Sequence, residues 1–419
     1  MNYLIYITIT LIIIILLCYV YTKYKDSINK YIVLNKLSNI KRGRLILLDK
    51  DNNIIFKSTP CIKSKYKGII KINNENEFFE RLVNHGEIGL GEGYVDNIWT
   101  TPDIFSTIMV LIENEKYLQS SSLFYDTYSS IEKDYKNIQH HYDLGNDFYE
   151  TFLTDDLKAY SCGFFFCPSD TLNTAQYNKV NKIIQKLNLN PNHTVLDVGC
   201  GWGQIASYIQ NKTKSKMYGI TISKEQLKYI NSKYHNVKAL LKHYGEIENG
   251  FKYDRIYSIG MFEHVRCTNY FKFFEKMYEI LNPKGRFVLH TISKIDDNVA
   301  CNESSSQCFV TKHIFPGGQI PKHEWIIDNA TKAGFKIIHV EIFGGMHYAK
   351  TLREWRKNLV NNKERILTLG YTMSDFRTYE YYFSVCEAAF LNNIFQVSQY
   401  VFDKVDNLSD VTHTAYDCK

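Results

Sequence analysis

The sequence predicts an α/β protein built on a doubly wound sheet, preceded by a small α+β region and an N-terminal membrane helix. Three features predict this architecture. An uncharged apolar stretch opens the chain, short β-type runs follow it, and buried strands alternate with amphipathic helices from Asn173 onward. We therefore expect an anchor over residues 1–22, an accessory α+β domain over residues 23–130, and the α/β domain over residues 131–419.

The composition fits this assignment. The chain has 419 residues, of which 45% are hydrophobic and 22% charged, which excludes a disordered, collagen-like or small disulfide-rich protein. The net charge of +6 is spread along the chain without a long Lys/Arg block, so we expect no nucleic-acid partner. The 32 Tyr and 25 Phe reflect either an AT-rich coding sequence or aromatic lining of a lipid-like or cationic site.

The cysteines indicate no metal or redox site. None of the ten cysteines forms a C-x-x-C pair, which excludes a zinc ribbon or thioredoxin-type site. A chain of this length buries enough core without disulfides. We therefore expect reduced, mostly structural thiols.

The first 22 residues carry no charged side chain. The stretch Leu4–Val20 is almost wholly apolar and is long enough to cross a bilayer. A secretory signal peptide would need a basic start and a small-residue cleavage site, and neither is visible. The unbroken Ile/Leu run also disfavours a buried core helix. Because Lys23, Lys25 and Lys30 follow directly, the positive-inside rule predicts that the rest of the chain lies in the cytoplasm.

The accessory region has no nucleophile or metal-ligand spacing. It is expected to contain a hairpin (Arg44–Leu48 and Ile54–Lys57), a helix over Glu75–Val83, a glycine-punctuated turn over Gly89–Tyr94, a helix over Thr101–Glu113 with Thr101 as N-cap, and a linker over residues 119–130.

A glycine-rich loop follows the first strand of the larger domain. An amphipathic helix covers Asn173–Leu189, and the buried strand Thr194–Val198 leads into Gly-Cys-Gly-Trp-Gly at residues 199–203, before a helix from Gln204. Alternate glycines let the backbone pass close under a ligand. The spacing is neither that of a dinucleotide fingerprint nor that of a phosphate-binding loop.

The next strand, Met217–Thr221, does not end in the Asp or Glu that a nicotinamide enzyme usually places there. Ser223 and Gln226 fit a capping box, and the alternative is that Thr221 and Gln226 bind a cofactor. Further strands are expected at Val237–Leu241, Asp254–Ile259 and Arg286–Ile292. Ligands of such sheets bind at the carboxyl ends of the strands.

These segments carry a family resemblance. Residues 195–203 resemble the S-adenosylmethionine loop of class I methyltransferases, which have a seven-stranded Rossmann-like sheet. More narrowly, the chain resembles the cyclopropane-fatty-acyl-phospholipid synthase and mycolic acid cyclopropane synthase family. The segments that carry this resemblance are residues 139–149, Tyr160-Ser161-Cys162, 219–226, 260–265, 290–292, 315–318, 347–355 and 377–390. Residues 89–99 resemble the accessory domain of the long bacterial forms.

The resemblance implies a reaction and its site. An unsaturated acyl chain of a membrane phospholipid takes the sulfonium methyl of S-adenosylmethionine, a carbocation forms, and bound bicarbonate removes a proton so that a cyclopropane ring closes. The implied bicarbonate pocket is Cys162, Glu263, His290, Tyr348 and the Ile259 backbone, with Cys386 as a further active-site residue. The implied cofactor contacts are Tyr160, Ser161, Asp197, Gly199, Cys200, Gly201, Trp202, Gly203, Thr221, Ile222, Ser223, Gln226, Glu246 and Ile247.

Several assignments keep an alternative. A position in a helix core explains Cys386 equally well. Adjacent His140 and His141 point about 100° apart on a helix and have no third ligand nearby, so no metal is expected. Where the family usually has Asp-Tyr-Arg-Asp, this chain has His-Tyr-Gly-Glu at residues 243–246, which puts the adenine contacts there in question.

The functional expectation is a membrane-tethered cyclopropane synthase. One alternative is a lipid C-methyltransferase that gives a methyl-branched acyl chain or a methylated sphingolipid base. Another is a non-catalytic lipid-binding protein. A homodimer is left open.

Overall fold

The structure is a computed structural model that describes residues 2–118, 144–248, 250–295 and 308–404, without the side chains of residues 2–5, 8, 9 and 11–22. The chain divides into two compact units. The first comprises Met1–Leu123, Gln307–Phe309 and Met373–Tyr381, and the second comprises Phe124–Ser306, Val310–Thr372 and Tyr382–Lys419. The expected domain boundary near residue 130 and the expected linker lie outside the described residues.

The first unit is built around a four-stranded sheet. Its elements are α1 (Asn2–Leu37), β1 (Arg42–Leu48), β2 (Ile54–Lys57), β3 (Ile62–Ile72), α2 (Glu75–Val95), β4 (Trp99–Thr100), α3 (Ile104–Ile112) and α4 (Glu115–Leu118). The strand order is β2-β1-β3-β4, in which β1 pairs antiparallel with β2 and parallel with β3. The expected hairpin is confirmed.

The N-terminal helix extends beyond the predicted anchor. Helix α1 runs to Leu37, and its second half is fastened to α2 by ion pairs from Lys25 to Glu80 (2.5 Å) and from Lys30 to Glu75 (2.6 Å). Among the described residues, no helix combines the length and the apolar character needed to span a membrane. The anchor predicted for residues 1–22 therefore has no support from the structure, and most of its side chains lie outside the described residues.

The expected glycine turn over Gly89–Tyr94 is wrong, because these residues lie inside α2. The chain instead bends at Gly86, whose φ is 54°. A Cβ at Gly91 would come within 2.3 Å of the Phe309 ring, so this glycine allows close packing rather than a turn. The N-cap of α3 also differs from the prediction, because Asp103 accepts the capping bond from the Ser106 N–H.

The second unit contains the predicted α/β sheet. Its elements are α5 (Gly145–Tyr149), α6 (Leu172–Leu187), β5 (Thr194–Val198), α7 (Gln204–Thr213), β6 (Lys216–Thr221), α8 (Lys224–Lys233), β7 (Val237–Leu241), β8 (Tyr253–Ile259), α9 (Tyr270–Ile280), β9 (Leu281–Lys294), α10 (Phe309–His313, of which Phe309 belongs to the first unit), α11 (His323–Lys332), β10 (Phe335–Gly344), α12 (Met346–Asn361), α13 (Lys363–Thr368), α14 (Met373–Leu391, of which residues 382–391 belong to this unit) and β11 (Phe395–Lys404).

The sheet has seven strands in the order β10-β11-β9-β8-β5-β6-β7. The strands from β5 to β9 pair in parallel, and β11 is antiparallel to both of its neighbours. The expected seven-stranded methyltransferase-like sheet is confirmed.

The sheet buries apolar side chains on both faces. Leu196 and Phe287 belong to one core cluster, whereas their chain neighbours Val195 and Val288 belong to another. Successive residues of a strand point to opposite faces, so helices must cover both sides. Rings of the first cluster pack around Phe287, Phe274 in a tilted arrangement at 6.3 Å, and account for part of the aromatic surplus.

The expectation of reduced thiols is wrong at one position. Cys267, which is buried, is disulfide-bonded. Among the described residues, the cysteines that take no part in a disulfide are Cys61, Cys162, Cys167, Cys200, Cys308 and Cys386.

Candidate active site

A cavity opens at the carboxyl ends of the parallel strands of the second unit, where the sequence predicts a ligand. Its walls come from the ends of β5, β6, β7 and β8 and from the segment that precedes α6. The lining residues that the sequence predicts are Tyr160, Ser161, Asp197, Gly199, Cys200, Gly201, Trp202, Gly203, Thr221, Ile222, Gln226 and Ile259.

The glycine loop forms the floor of this cavity. Gly199, Gly201 and Gly203 all have positive φ, at 85°, 53° and 81°. A Cβ at Gly199 would lie 2.8 Å from Met261, and one at Gly203 would lie 2.8 Å from Ile230. Beyond Gly201 there is open space, so a side chain there would enter the cavity. The loop therefore needs glycine for its backbone conformation, for packing and for ligand access.

Thr221 and Gln226 form a linked pair in the cavity wall. The Thr221 hydroxyl donates to Gln226 Oε1 at 2.7 Å. The Gln226 amide nitrogen is buried and has no hydrogen-bond partner among the described residues. Ser223 caps α8 by accepting from the Gln226 N–H at 3.3 Å. Ser223 therefore caps the helix, as the first alternative expects, and cofactor binding by Thr221 and Gln226 stays a prediction.

Three predicted cofactor contacts do not line the cavity. They are Ser223, Glu246 and Ile247. Glu246 instead accepts from the His243 N–H at 2.8 Å, which closes a short capping box. The wall there is made by Lys242, His243 and Tyr244, which follow β7 directly. Their place after a parallel strand was the available signal in the sequence.

A buried acid and a buried base lie behind the glycine loop. Asp197 accepts from the Tyr257 hydroxyl at 2.7 Å. Burial raises the pKa of Asp197 and lowers the pKa of Lys179, and attraction between the two groups opposes both shifts. Lys179, on α6, was not predicted from the sequence as a site residue.

Lys179 also holds the segment that carries Tyr160, Ser161 and Cys162. Its ammonium donates to Ser161 Oγ at 2.7 Å and to Gln176 Oε1 at 2.6 Å. The Gln176 amide in turn donates to the Ser161 carbonyl at 2.9 Å. Burial raises the pKa of the Cys162 thiol, so this cysteine is a neutral thiol.

Glu263 and His290 are buried beside the cavity. One oxygen of Glu263 accepts from the Ile292 N–H at 2.8 Å, and the other has no hydrogen-bond partner in the described part of the chain. Burial raises the pKa of Glu263 to about 7, although the Ile292 N–H opposes this rise. His290 pairs with Ile259 across β8 and β9. The backbone amide that contacts the Glu263 carboxyl group is that of Ile292, which was not predicted from the sequence.

His290 is neutral for two reasons. Burial holds the pKa of its imidazole well below the ordinary value, and the positive charges of Lys179 and Lys186 act in the same direction. Its ring lies 5.6 Å from the Phe164 ring.

Tyr348 and Cys386 lie on helices that flank this region, and neither lines the cavity. Tyr348 is buried on α12 against Phe390, with ring centres 4.6 Å apart. The same helix is tied to the segment containing Cys162, because the Thr351 hydroxyl accepts from the Gly163 N–H at 3.0 Å. Cys386, on α14, is half-buried and is not part of a disulfide.

Aromatic rings connect Tyr348 to the cavity. Trp355 packs against Tyr348 at 6.0 Å and against Tyr160 at 5.1 Å. Tyr160 also contacts Tyr149 at 5.4 Å, and Tyr149 contacts Trp202 at 5.3 Å. Sequence reasoning selected only Tyr160, Trp202 and Tyr348 of this set. Faces of such rings stabilise positive charge in a dry site. His140 and His141 lie outside the described residues.

Comparison with known proteins gives a consistent result. The model of the mycolic acid cyclopropane synthetase family matches residues 129–400. The cyclopropane-fatty-acyl-phospholipid synthase of Escherichia coli is 32% identical over 369 residues, which cover 84% of this chain and 92% of that protein. A probable fatty acid methyltransferase of Pseudomonas putida is 33% identical over 264 residues, which cover 61% of this chain and 66% of that protein.

A solved structure is similar as well. Mycolic acid cyclopropane synthase CmaA1, complexed with SAH and CTAB, superposes with a TM-score of 0.59 at 30% identity and covers 64% of this chain and 98% of that chain.

Proposed function

Because the chain belongs to the mycolic acid cyclopropane synthetase family and is an S-adenosylmethionine-dependent methyltransferase, we propose that it converts the cis double bond of a phospholipid acyl chain into a cyclopropane ring. One observation carries this proposal. A glycine-floored cofactor cavity lies beside a buried acid, a neutral thiol and a neutral imidazole, on Glu263, Cys162 and His290.

The cavity residues fit S-adenosylmethionine. The amide nitrogen of Gln226, which has no hydrogen-bond partner among the described residues, can donate to a ribose or amino-acid oxygen. The open space above Gly201 leaves room for the bound cofactor. S-adenosylmethionine, when bound, supplies the methyl group that becomes the new ring carbon. We assign cofactor contacts to Tyr160, Ser161, Asp197, residues 199–203, Thr221, Ile222 and Gln226, and extend them to Lys242, His243 and Tyr244. Ser223, Glu246 and Ile247 then act by shaping the wall.

The connected aromatic rings, of which Tyr160 lines the cavity and Trp355 and Tyr348 lie behind it, suit the positive charge that develops in the reaction. Methyl transfer to one alkene carbon leaves positive charge on the other, and loss of one proton from the transferred methyl lets the ring close. Rings of Tyr160, Trp355 and Tyr348 form a connected aromatic set that stabilises this charge.

Removal of this proton requires a base that is not itself methylated by S-adenosylmethionine. Bicarbonate fits the polar groups present. Cys162 has a neutral S–H, which donates to the Gly163 carbonyl at 3.3 Å and would have to turn from it to reach a ligand. His290 offers a neutral imidazole, and Glu263 an oxygen without a hydrogen-bond partner among the described residues, on a group whose pKa is about 7. Bound there, bicarbonate would supply the base. We propose that the Ile259 backbone contributes to this pocket and that Cys386 is a further active-site residue.

The substrate we propose is an unsaturated acyl chain of a membrane phospholipid, reached from the cytoplasmic side. The uncharged segment Leu4–Val20 is proposed to hold the enzyme at the bilayer. A chain that begins at Lys23 should then be recovered from the soluble fraction of lysed cells, whereas the full chain should sediment with membranes. A homodimer stays a prediction.

The deciding experiment is lipid mass spectrometry. The full chain, S-adenosylmethionine and vesicles of an unsaturated phospholipid should yield acyl chains heavier by one CH₂ per double bond. Glu263→Gln should lose this product, and Glu225→Gln, which changes an exposed carboxylate on α8, should retain it. Absence of the mass gain with wild-type protein would refute the proposal.

The alternative is transfer of a methyl group without ring closure, which the similarity to a probable fatty acid methyltransferase favours. Both products have the same added carbon. Proton NMR of the product lipid separates them, because only a cyclopropane gives high-field ring protons.

A further inference from the structure

Gln399 lies directly opposite His290 in the sheet of the second unit. The two residues pair across β11 and β9, and both side chains are buried. The Gln399 amide nitrogen is 3.2 Å from His290 Nδ1. Which ring nitrogen of His290 carries the proton therefore depends on which end of the Gln399 amide faces it.

Lys186 fixes that orientation. Its ammonium group lies 2.5 Å from Gln399 Oε1 and 2.7 Å from Glu341 Oε2. An ammonium group has donors only, so the amide end that faces it must be the oxygen. The NH₂ end of Gln399 then faces His290. Lys186 and Gln399 are separated by 213 positions in the chain, so only the fold brings them together.

The orientation of the amide selects the histidine tautomer. An amide NH₂ can only donate, so His290 Nδ1 must accept and carries no proton. The imidazole is neutral, as shown above, so its single proton resides on Nε2. His290 thus has one defined donor, Nε2–H, in the region that contains Cys162 and Glu263.

We propose that Gln399 is a positioning residue that fixes His290 in its Nε2–H tautomer, with Lys186 and Glu341 orienting the Gln399 amide. This inference rests on the proposed function for its purpose: an anionic base near Cys162 and Glu263 would then always meet a donor on His290. In a site without this chain of contacts, the neutral imidazole would divide between two tautomers, and only one of them offers that donor.

The tautomer can be observed without catalysis. We would label the histidines of the full chain with ¹⁵N, identify the His290 signals by their loss in His290→Gln, and record long-range proton–nitrogen correlation spectra. Wild-type protein should show the neutral Nε2–H form. Gln399→Leu should give a mixture of tautomers. Gln396→Leu, an odd number of residues away on β11 and paired with Ser293, should leave the His290 signals unchanged.

A second variant keeps the test decisive if Gln399→Leu does not fold. Lys186→Met removes the group that orients the amide and should also produce mixed tautomers, while leaving Glu341 its contact with Lys182 at 2.7 Å. In turnover assays Gln399→Leu should lower kcat about tenfold or more with an unchanged KM for S-adenosylmethionine. If Gln399 had only a structural role, Gln399→Leu would lower thermal stability without this selective fall in kcat.

Two results would overturn the inference: an Nδ1–H tautomer in the wild-type spectrum, or a His290 tautomer that Gln399→Leu leaves unaltered. The spectra are independent of lipid turnover. A chain that shows the predicted tautomer but makes no modified lipid would therefore refute the proposed function and leave the Gln399 assignment intact.

Discussion

Glu263 accepts a hydrogen bond from the Ile292 N–H at 2.8 Å through one carboxyl oxygen, while its second oxygen is buried with no hydrogen-bond partner among the described residues. A carboxyl group held at one oxygen and open at the other, in a dry site, is suited to receive a ligand or a proton. Burial of this carboxyl group, which the Ile292 hydrogen bond only partly offsets, makes the stability of the protein depend on pH.

Replacing Glu263 by Gln should remove a pH-dependent loss of stability. The folded pKa of about 7 lies above the ordinary value of 4.5, so the unfolded chain ionises first and stability falls as pH rises through this window. The loss is complete above pH 7 and amounts to about 3 kcal/mol. Denaturant unfolding at several pH values should show the wild type losing stability relative to Glu263→Gln between about pH 4.5 and 7.

The control for this change is Glu225→Gln, because Glu225 is exposed on α8. Its stability should follow the wild-type curve. If Glu263→Gln ran parallel to wild type across the same pH range, the raised pKa would be wrong.

Gly201→Val should weaken cofactor binding while the protein still folds. The backbone at Gly201 has a φ of 53°, and a side chain there would project into open space in the cavity. Calorimetry with S-adenosylhomocysteine should show a loss of affinity of at least about tenfold, from strain and occlusion together. Gly250→Val, where no atom lies within 4 Å of the added Cβ and φ is not positive, should bind normally. Equal affinities would contradict the assigned floor of the cavity.

Gln226→Leu tests the unpartnered amide. The variant loses both the contact with Thr221 and the donor that is left for the ligand. We expect the dissociation constant for S-adenosylhomocysteine to rise about 10- to 100-fold, which corresponds to 1–3 kcal/mol. Gln185→Leu, at an exposed position of α6, serves as the control. An unchanged dissociation constant would show that the amide does not contact the ligand.

Tyr348→Phe separates the hydroxyl group from the ring. The packing against Phe390 and Trp355 should persist, so folding and cofactor affinity should be retained. If the hydroxyl takes part in proton removal, kcat should fall on the order of 100-fold. Tyr208→Phe, on α7, should keep full activity. A fully active Tyr348→Phe would confine this residue to packing.

The main sheet could be predicted because its signals are local. Strand β5 begins and ends as expected, and α7 begins at Gln204 as expected, because an apolar run and a glycine loop mark these boundaries. The turn predicted over Gly89–Tyr94 was wrong, because glycine, which favours turns, also allows a helix to pack closely against a neighbour. Gly91 needs glycine because of Phe309, which lies far along the chain.

The cofactor contacts likewise divide into those that follow from local sequence and those that depend on the fold. Consecutive residues of the glycine loop could be predicted together, because one backbone conformation places them all. After β7, the position of residues 242–244 behind a parallel strand was a usable signal, but the sequence did not show that Glu246 turns back onto the His243 N–H and does not line the cavity.

The sequence by itself determined the order of the strands and helices, the glycine floor and the family, since these follow from periodicity, backbone freedom and motif order. Only the tertiary structure decided the charge states and partners within the site. Glu263 has a raised pKa because other segments remove water from it, and His290 meets the Gln399 amide, which Lys186 contacts in turn, because the fold brings these distant positions together. Desolvation and hydrogen-bond direction depend on neighbours in space, which a linear pattern does not specify.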